Sequence, residues 1–253
     1  MRAALRAHLP VLLALGLCPV AALLIGTDPA EPVGRAEALA GAEAALGLHV
    51  EPAAHAWLDA HNPLLMTLAG VVYVIAHVAV TGWALIWTWC LRRDAFPLVR
   101  DTLVVTQVLI VAIAVAMPTA PPRLVPGMGI GDEVAATWGG TAAGLAHAFQ
   151  SPFAAMPSGH VAFALVAGGA FAALGDRAWL RAFGRLHPPL VLALVVVTGN
   201  HLWLDAAAAL AVVAVAFAIA RARRAPAGAV GRFVRGPAPG PGRARGGASA
   251  ERA

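Results

Sequence analysis

The chain contains no lysine: all 18 of its basic residues are arginines, and charged residues make up only 12 % of its 253 positions. A typical soluble domain is about 25 % charged and about 45–50 % apolar. Here the apolar share is 60 % and the mean hydropathy +0.75. So few charges do not cover a water-facing surface, and the expected solvent for most of the chain is lipid. Cysteine is as scarce. Cys18 and Cys90 both lie in apolar segments, which excludes a disulfide framework and a cysteine metal motif. Internal repeats are absent too. At about 20 apolar residues per span, about six spans consume nearly the whole length and leave little room for a soluble domain.

What is present is a series of apolar runs, at residues 9–26, 64–90, 102–117, 158–174, 188–198 and 202–220. They predict an all-α fold, a polytopic membrane bundle of six transmembrane helices. The first run follows Arg2 and Arg6 and has two readings, a secretory signal or a retained helix; it is read as retained. Leu17 precedes Cys18 where a lipoprotein site takes a small residue. The expected organisation is a first helix and outer amphipathic segment over 1–62, a membrane core over 63–224, and a cytoplasmic tail over 225–253. The tail is rich in Gly, Pro, Ala and Arg and cannot offset its ordering entropy, so it is expected to be disordered.

Arginine placement orients the bundle. With the amino terminus inside, 16 of the 18 arginines fall on inner segments, and only Arg35 and Arg123 face outward. This obeys the positive-inside rule and puts both termini in the cytoplasm. Eight arginines from Arg221 to Arg252 lie at or beyond the last run; they read as an orientation signal and a contact for anionic lipid, not as a nucleic-acid footprint. The segment from Asp28 to Asn62 is acidic (Asp28, Glu31, Glu37, Glu43, Glu51, Asp59) and belongs outside. Its Leu39, Leu46, Leu48 and Trp57 suggest an amphipathic helix on the outer membrane face.

Three polar islands interrupt the apolar sequence, all on the outer side: Met117 to Arg123, Ala155 to His160, and Thr198 to Asp205. Ionisable groups at membrane depth are costly and mark function. His201 and Asp205 are four apart and on a helix share one face. A carboxylate on imidazole Nδ1 leaves Nε2 as a nucleophile or base; a buried His–Asp pair tying two helices together is the alternative reading. In the second island Pro157 ends the preceding segment, Ser158 suits an N-cap, and Gly159 lets a ligand approach the backbone. A helix starting there aims N–H groups at an anion, with His160 placed to protonate a leaving oxygen. In the first, Arg123 offers a guanidinium fork that matches two phosphate oxygens, on a loop stiffened by Pro121 and Pro122. Its alternative role is a snorkelling contact to a headgroup.

The fifth run, from Pro188 to Thr198, is too short to cross about 30 Å at about 1.5 Å per residue. Either its helix begins earlier, near Trp179, or Gly199 ends it below the outer surface and sinks His201 into the headgroup zone; the second is expected. His77 sits mid-span on one helical face with Tyr73; it either lines a cavity or makes an interhelical hydrogen bond. A zinc site from His147, His160 and His201 is disfavoured because the spacing carries no metal signature. No metal or cofactor is expected.

Together Pro157-Ser158-Gly159-His160 and His201-Leu202-Trp203-Leu204-Asp205 resemble the type 2 phosphatidic acid phosphatase superfamily. Pro121-Pro122-Arg123 and the Thr198-Gly199-Asn200-His201 lead-in look most like the branch that contains inositol phosphorylceramide synthases. Tyr73, His77 and Arg100 also fall where that branch carries similar residues, and the resemblance covers about Tyr73 to Ala220. It implies a six-helix core with an outward-facing, metal-independent site in the plasma membrane. It also implies that the histidine matching His201 attacks phosphorus, oriented by Asp205, while His160 protonates the leaving alkoxide. Arg123, Ser158 and Gly159 would hold the phosphoryl oxygens, and Tyr73, His77 and Asn200 are candidate cavity-lining residues. The substrate implied is a lipid phosphate, with water or an alcohol accepting the phosphoryl group.

Two departures stand out. The broad superfamily has a lysine before the first-motif arginine, and this chain has none. It also has an arginine upstream of the third-motif histidine, where this chain reads Ala193-Leu194-Val195-Val196-Val197. Fewer cations favour a phosphodiester donor and headgroup transfer, including inositol-phosphate transfer, over a monoester. The competing expectation is a catalytically silent lipid-binding or transport protein with the same fold.

Overall fold

The structure is a computed structural model that describes residues 2–133, 135, 136, 139 and 151–224. His147 and the tail from residue 225 lie outside the described residues. Among these the chain is helical, with no strand beyond one isolated bridge. In chain order the helices are α1 (Arg2–Leu15), α2 (Leu17–Ile25), α3 (Ala30–Ala45), α4 (Glu51–His61), α5 (Pro63–Leu91), α6 (Phe96–Ala116), α7 (Gly159–Leu174), α8 (Ala178–Val197) and α9 (Trp203–Ala222). A 3-10 turn covers Pro122–Leu124.

Four segments are long and apolar enough to cross a membrane: α1 with α2, α6, α8 and α9. Helix α5, bent by 42° between Ile75 and His77, makes a fifth if its halves are one span. The protein is thus a multi-pass membrane protein with four such helices, or five, among the described residues, where the sequence predicts six. Helix α7 accounts for the difference. Its 16 residues reach about 24 Å at about 1.5 Å per residue. It lies inside the bundle, with Val161 to Ala164, Ala167, Ala170 and Phe171 all buried, so its partners are other helices. Leu23, Val78, Leu190 and Leu210 on the surrounding helices stay exposed, which suits a lipid-facing surface.

Helix α8 starts earlier than its apolar run. It begins at Ala178, and its 20 residues run through Pro188 and Pro189, so it reaches about 30 Å. Arg181, Arg185 and His187 in its first half masked that start in the apolar pattern. Its end is nonetheless at Gly199. The Gly199 N–H bonds to Val196 O (3.0 Å) and the Asn200 N–H to Val195 O (3.0 Å), with Gly199 at φ +65°, which is a Schellman stop. Against α7, helix α8 packs with no side chain between. A Cβ on Gly168 would lie 2.5 Å from Gly184 O, and one on Gly184 would lie 2.5 Å from Gly168 O.

Helices α3 and α4 dock on one end of the bundle. They bury Ala36, Ala40 and Glu43 from α3, and Glu51, His55 and Leu58 from α4. Leu46, Leu48 and Trp57 point outward and stay exposed. At the opposite end of the bundle, arginines and aspartates meet: Arg92 with Asp176, Arg224 with Asp101, and Arg100 with Asp101 at 2.7 Å.

Candidate active site

The three polar islands are joined by main-chain hydrogen bonds, so their mutual placement does not depend on side chains. Thr119 N–H donates to Phe153 O (2.8 Å) and Ala155 N–H to Thr119 O (3.1 Å), which ties the first island to the second. Ser158 N–H donates to Asp205 O (3.1 Å), tying the second to the third, and Arg123 N–H donates to Gly199 O (3.0 Å), closing the ring.

His201 Nδ1 lies 3.4 Å from Asp205 Oδ2, longer than a well-formed hydrogen bond of about 2.7–3.2 Å. Both side chains are buried. The pair does not meet by sharing a helical face, because α9 starts at Trp203 and His201 precedes it. Asp205 is instead the third residue of α9, and its Oδ2 turns back to accept the Leu202 N–H at 2.9 Å. A carboxylate that caps the helix start is thereby carried to the residue just before it.

Ser158 is the N-cap of α7, with Oγ accepting the Val161 N–H at 3.3 Å. It is fully buried and does not line the cavity described below. Gly159 does line it, and a Cβ there would meet nothing within 4 Å. His160 stacks on Tyr73 (ring centroids 4.1 Å, planes 20° apart) and against His77 (4.4 Å), with the His201 ring 5.9 Å away. Arg123 donates through Nε to Asp132 Oδ2 at 3.1 Å and through a terminal nitrogen to Asn200 Oδ1. Asn200 in turn donates to Thr198 Oγ1 at 2.8 Å. Arg100 sits at the other end of α6, paired with Asp101, and is not part of this assembly.

These groups open on a cavity of about 480 Å³, within the about 300–1,000 Å³ usual for small-molecule sites. Arg123, Asp132, Gly159, His160, Asn200 and His201 form its polar end. Leu15, Pro19, Val74, Val78, Ile110 and Val111 from α1, α2, α5 and α6 form an apolar wall. A second, almost wholly apolar cavity of about 230 Å³ shares Leu15, His77, Val78, Gln107 and Phe163 with the first. The combined space is amphipathic, with fixed charge at one end and hydrocarbon along the rest.

Several residues here carry no signal in the sequence. Asp132 meets Arg123 from a loop. His55 on α4 donates from Nδ1 to Val197 O (2.8 Å) and accepts the Gly131 N–H at Nε2 (3.1 Å), fixing that loop to the end of α8. Glu51 Oε1 accepts the Trp203 N–H (3.1 Å) and Glu43 Oε1 the Leu204 N–H (2.7 Å). With Asp205 on Leu202, three carboxylates cap three successive N–H groups at the start of α9. Burial pushes the Glu43 carboxyl up to about 8; the Leu204 N–H opposes this, while Glu51 and Asp205 add to it. No apolar periodicity or motif links α3 and α4 to α9, which lie more than 150 residues away along the chain.

Among the described residues the helices, the histidine pair, the arginine and the glycine-opened helix start around one amphipathic cavity suit a membrane phosphatase-type protein. The chain belongs to the PAP2 superfamily, whose family model matches residues 37–219. That match begins well before Tyr73 and takes in Glu43, Glu51 and His55. No curated protein and no solved structure matches the chain.

Proposed function

We propose that this protein is an integral-membrane lipid phosphatase or phosphotransferase that works through a phosphohistidine at His201. The observation that carries the reading is the single cavity with His160, His201, Arg123 and Gly159 at its polar end and apolar side chains along the rest. A lipid phosphate fits it with the phosphorus near the histidines and the chain against α1, α2, α5 and α6. In the first step His201 Nε2 forms a bond to phosphorus while the bond to the lipid oxygen breaks, and His160 gives that oxygen a proton. In the second, water or an alcohol attacks phosphorus, His160 takes its proton, and the P–N bond breaks. Asp205 holds His201 in the tautomer with Nε2 free. Arg123 and the N–H groups at the start of α7, capped by Ser158, steady the phosphoryl oxygens. None of these steps places a metal at the phosphate.

The finer reading is headgroup transfer, of the kind found in the inositol phosphorylceramide synthase branch. Asp132 beside Arg123 cancels part of the charge of the one arginine that lines the cavity among the described residues, which suits a phosphodiester better than a dianionic monoester. In this proposal the bundle crosses the plasma membrane six times, with both termini in the cytoplasm and the site outside, and residues 1–62 precede a core over 63–224. The separation of the arginine-rich end from the islands supports that sidedness.

Purified protein in detergent, offered a panel of phospholipids and radiolabelled donor beside His201→Ala, tests the proposal. Turnover that disappears in the variant, with acid-labile and base-stable label on wild type alone, is the expected result. No turnover of any lipid, with equal lipid binding by both proteins, replaces the enzyme with the lipid-binding alternative.

A further inference from the structure

We infer that Glu43, His49 and Glu51 form a binding site for one divalent cation of the zinc class, set against the start of α9. The inference stands apart from the catalytic reading. The three side chains offer one ligand atom each, all within 4.8 Å of one another. His49 Nδ1 lies 3.3 Å from Glu51 Oε2 and 3.8 Å from Glu43 Oε2. A tetrahedral ion with bonds of about 2.0–2.1 Å holds neighbouring ligand atoms about 3.3 Å apart, so the spacing needs little adjustment.

The two glutamates are fully buried, and their Oε2 atoms, with His49 Nδ1, have no hydrogen-bond partner among the described residues. Their other oxygens are already committed to the Trp203 and Leu204 N–H groups. Each carboxylate thus has one oxygen on the helix and a free one turned to the same point. Charge makes the same argument. A helix start supplies about half a positive charge, against three buried carboxylates once Asp205 is counted. Uncompensated buried carboxylates are costly; without an ion the raised Glu43 carboxyl relieves that cost by holding a proton, and a divalent ion would displace this proton and supply the charge in its place. His49 is 25 % exposed, which leaves an entry path and room for a water as fourth ligand. The mixed imidazole and carboxylate set suits zinc; calcium takes about 6–8 oxygens, more than this site offers.

The ion would join α3 and α4 to the helix whose third residue is Asp205, so its effect on the His201–Asp205 pair is positional. The test uses the full chain in detergent, free of any polyhistidine tag, stripped with chelator and reloaded with Zn²⁺, Mg²⁺ or Ca²⁺. Metal content and thermal midpoint are read instead of activity. Expected is one zinc per chain with a raised midpoint, and at least a fivefold lower content in Glu43→Gln and Glu51→Gln. Glutamine keeps the oxygen that caps α9, so these variants should stay folded. His49→Ala, which breaks no hydrogen bond on its ring nitrogen Nδ1, should lose zinc too and serves if the glutamine variants misfold. Zinc content equal in wild type and His49→Ala overturns the inference. So does a wild type that takes up no zinc, or one stabilised only by magnesium or calcium.

Discussion

The two ends of this bundle hold polar groups in opposite ways. At the arginine-rich end Arg92, Arg100 and Arg224 meet Asp176 and Asp101 in partly exposed pairs. Such pairs contribute about 0–1 kcal/mol each, since water and salt screen them. At the island end Glu43, Glu51, His201 and Asp205 are buried, Arg123 and Asp132 are partly so, and main-chain hydrogen bonds join the loops of the islands in a ring. Buried charge is expensive, and it is kept where geometry is put to use. Charge alone does not distinguish the two ends; burial and preorganisation do.

Four substitutions sharpen that contrast, from the largest effect down. Asp205→Asn keeps, at the Oδ2 position, an oxygen for both the Leu202 N–H and His201 Nδ1 but removes the negative charge that raises the basicity of His201; kcat should fall about 10³-fold with the fold intact, checked by steady-state turnover and circular dichroism. A drop under tenfold would make the pair structural. Gly199→Ala places a side chain at φ +65°, with its Cβ 2.1 Å from Ile130 Cγ2. It should cost about 2–3 kcal/mol, read as a lowered thermal midpoint, and loosen the Arg123 loop.

Gly159→Ala meets open space in the ligand-free protein. Its midpoint should stay within about 0.5 kcal/mol of wild type, while turnover falls about tenfold if phosphate approaches the backbone there, a loss of about 1.4 kcal/mol in transition-state stabilisation. Unchanged kinetics would move the phosphate off α7. Arg224→Gln, at the other end, removes the exposed pair with Asp101; it should change stability by less than about 1 kcal/mol and leave turnover alone. A loss of activity there would mean that the two ends are coupled.

The local sequence determined the helices and the three islands. Apolar runs and punctuation by Pro157, Ser158 and Gly199 act within a turn or two, so the starts of α7 and α9 and the end of α8 are legible without tertiary structure. His201 with Asp205, and His160 behind Ser158, are legible for the same reason, although the former pair meets through a helix cap and not along a helical face. The start of α8 was hidden by Arg181, Arg185 and His187, which lower its apolar signal without breaking the helix. The tertiary structure alone decided that Asp132 faces Arg123, that Tyr73 and His77 brace His160, and that Glu43 and Glu51 cap α9. Those contacts join segments far apart in the chain. The preference of a buried carboxylate for a free N–H does not specify which N–H, and only the packing of α3 and α4 on the bundle supplies that choice.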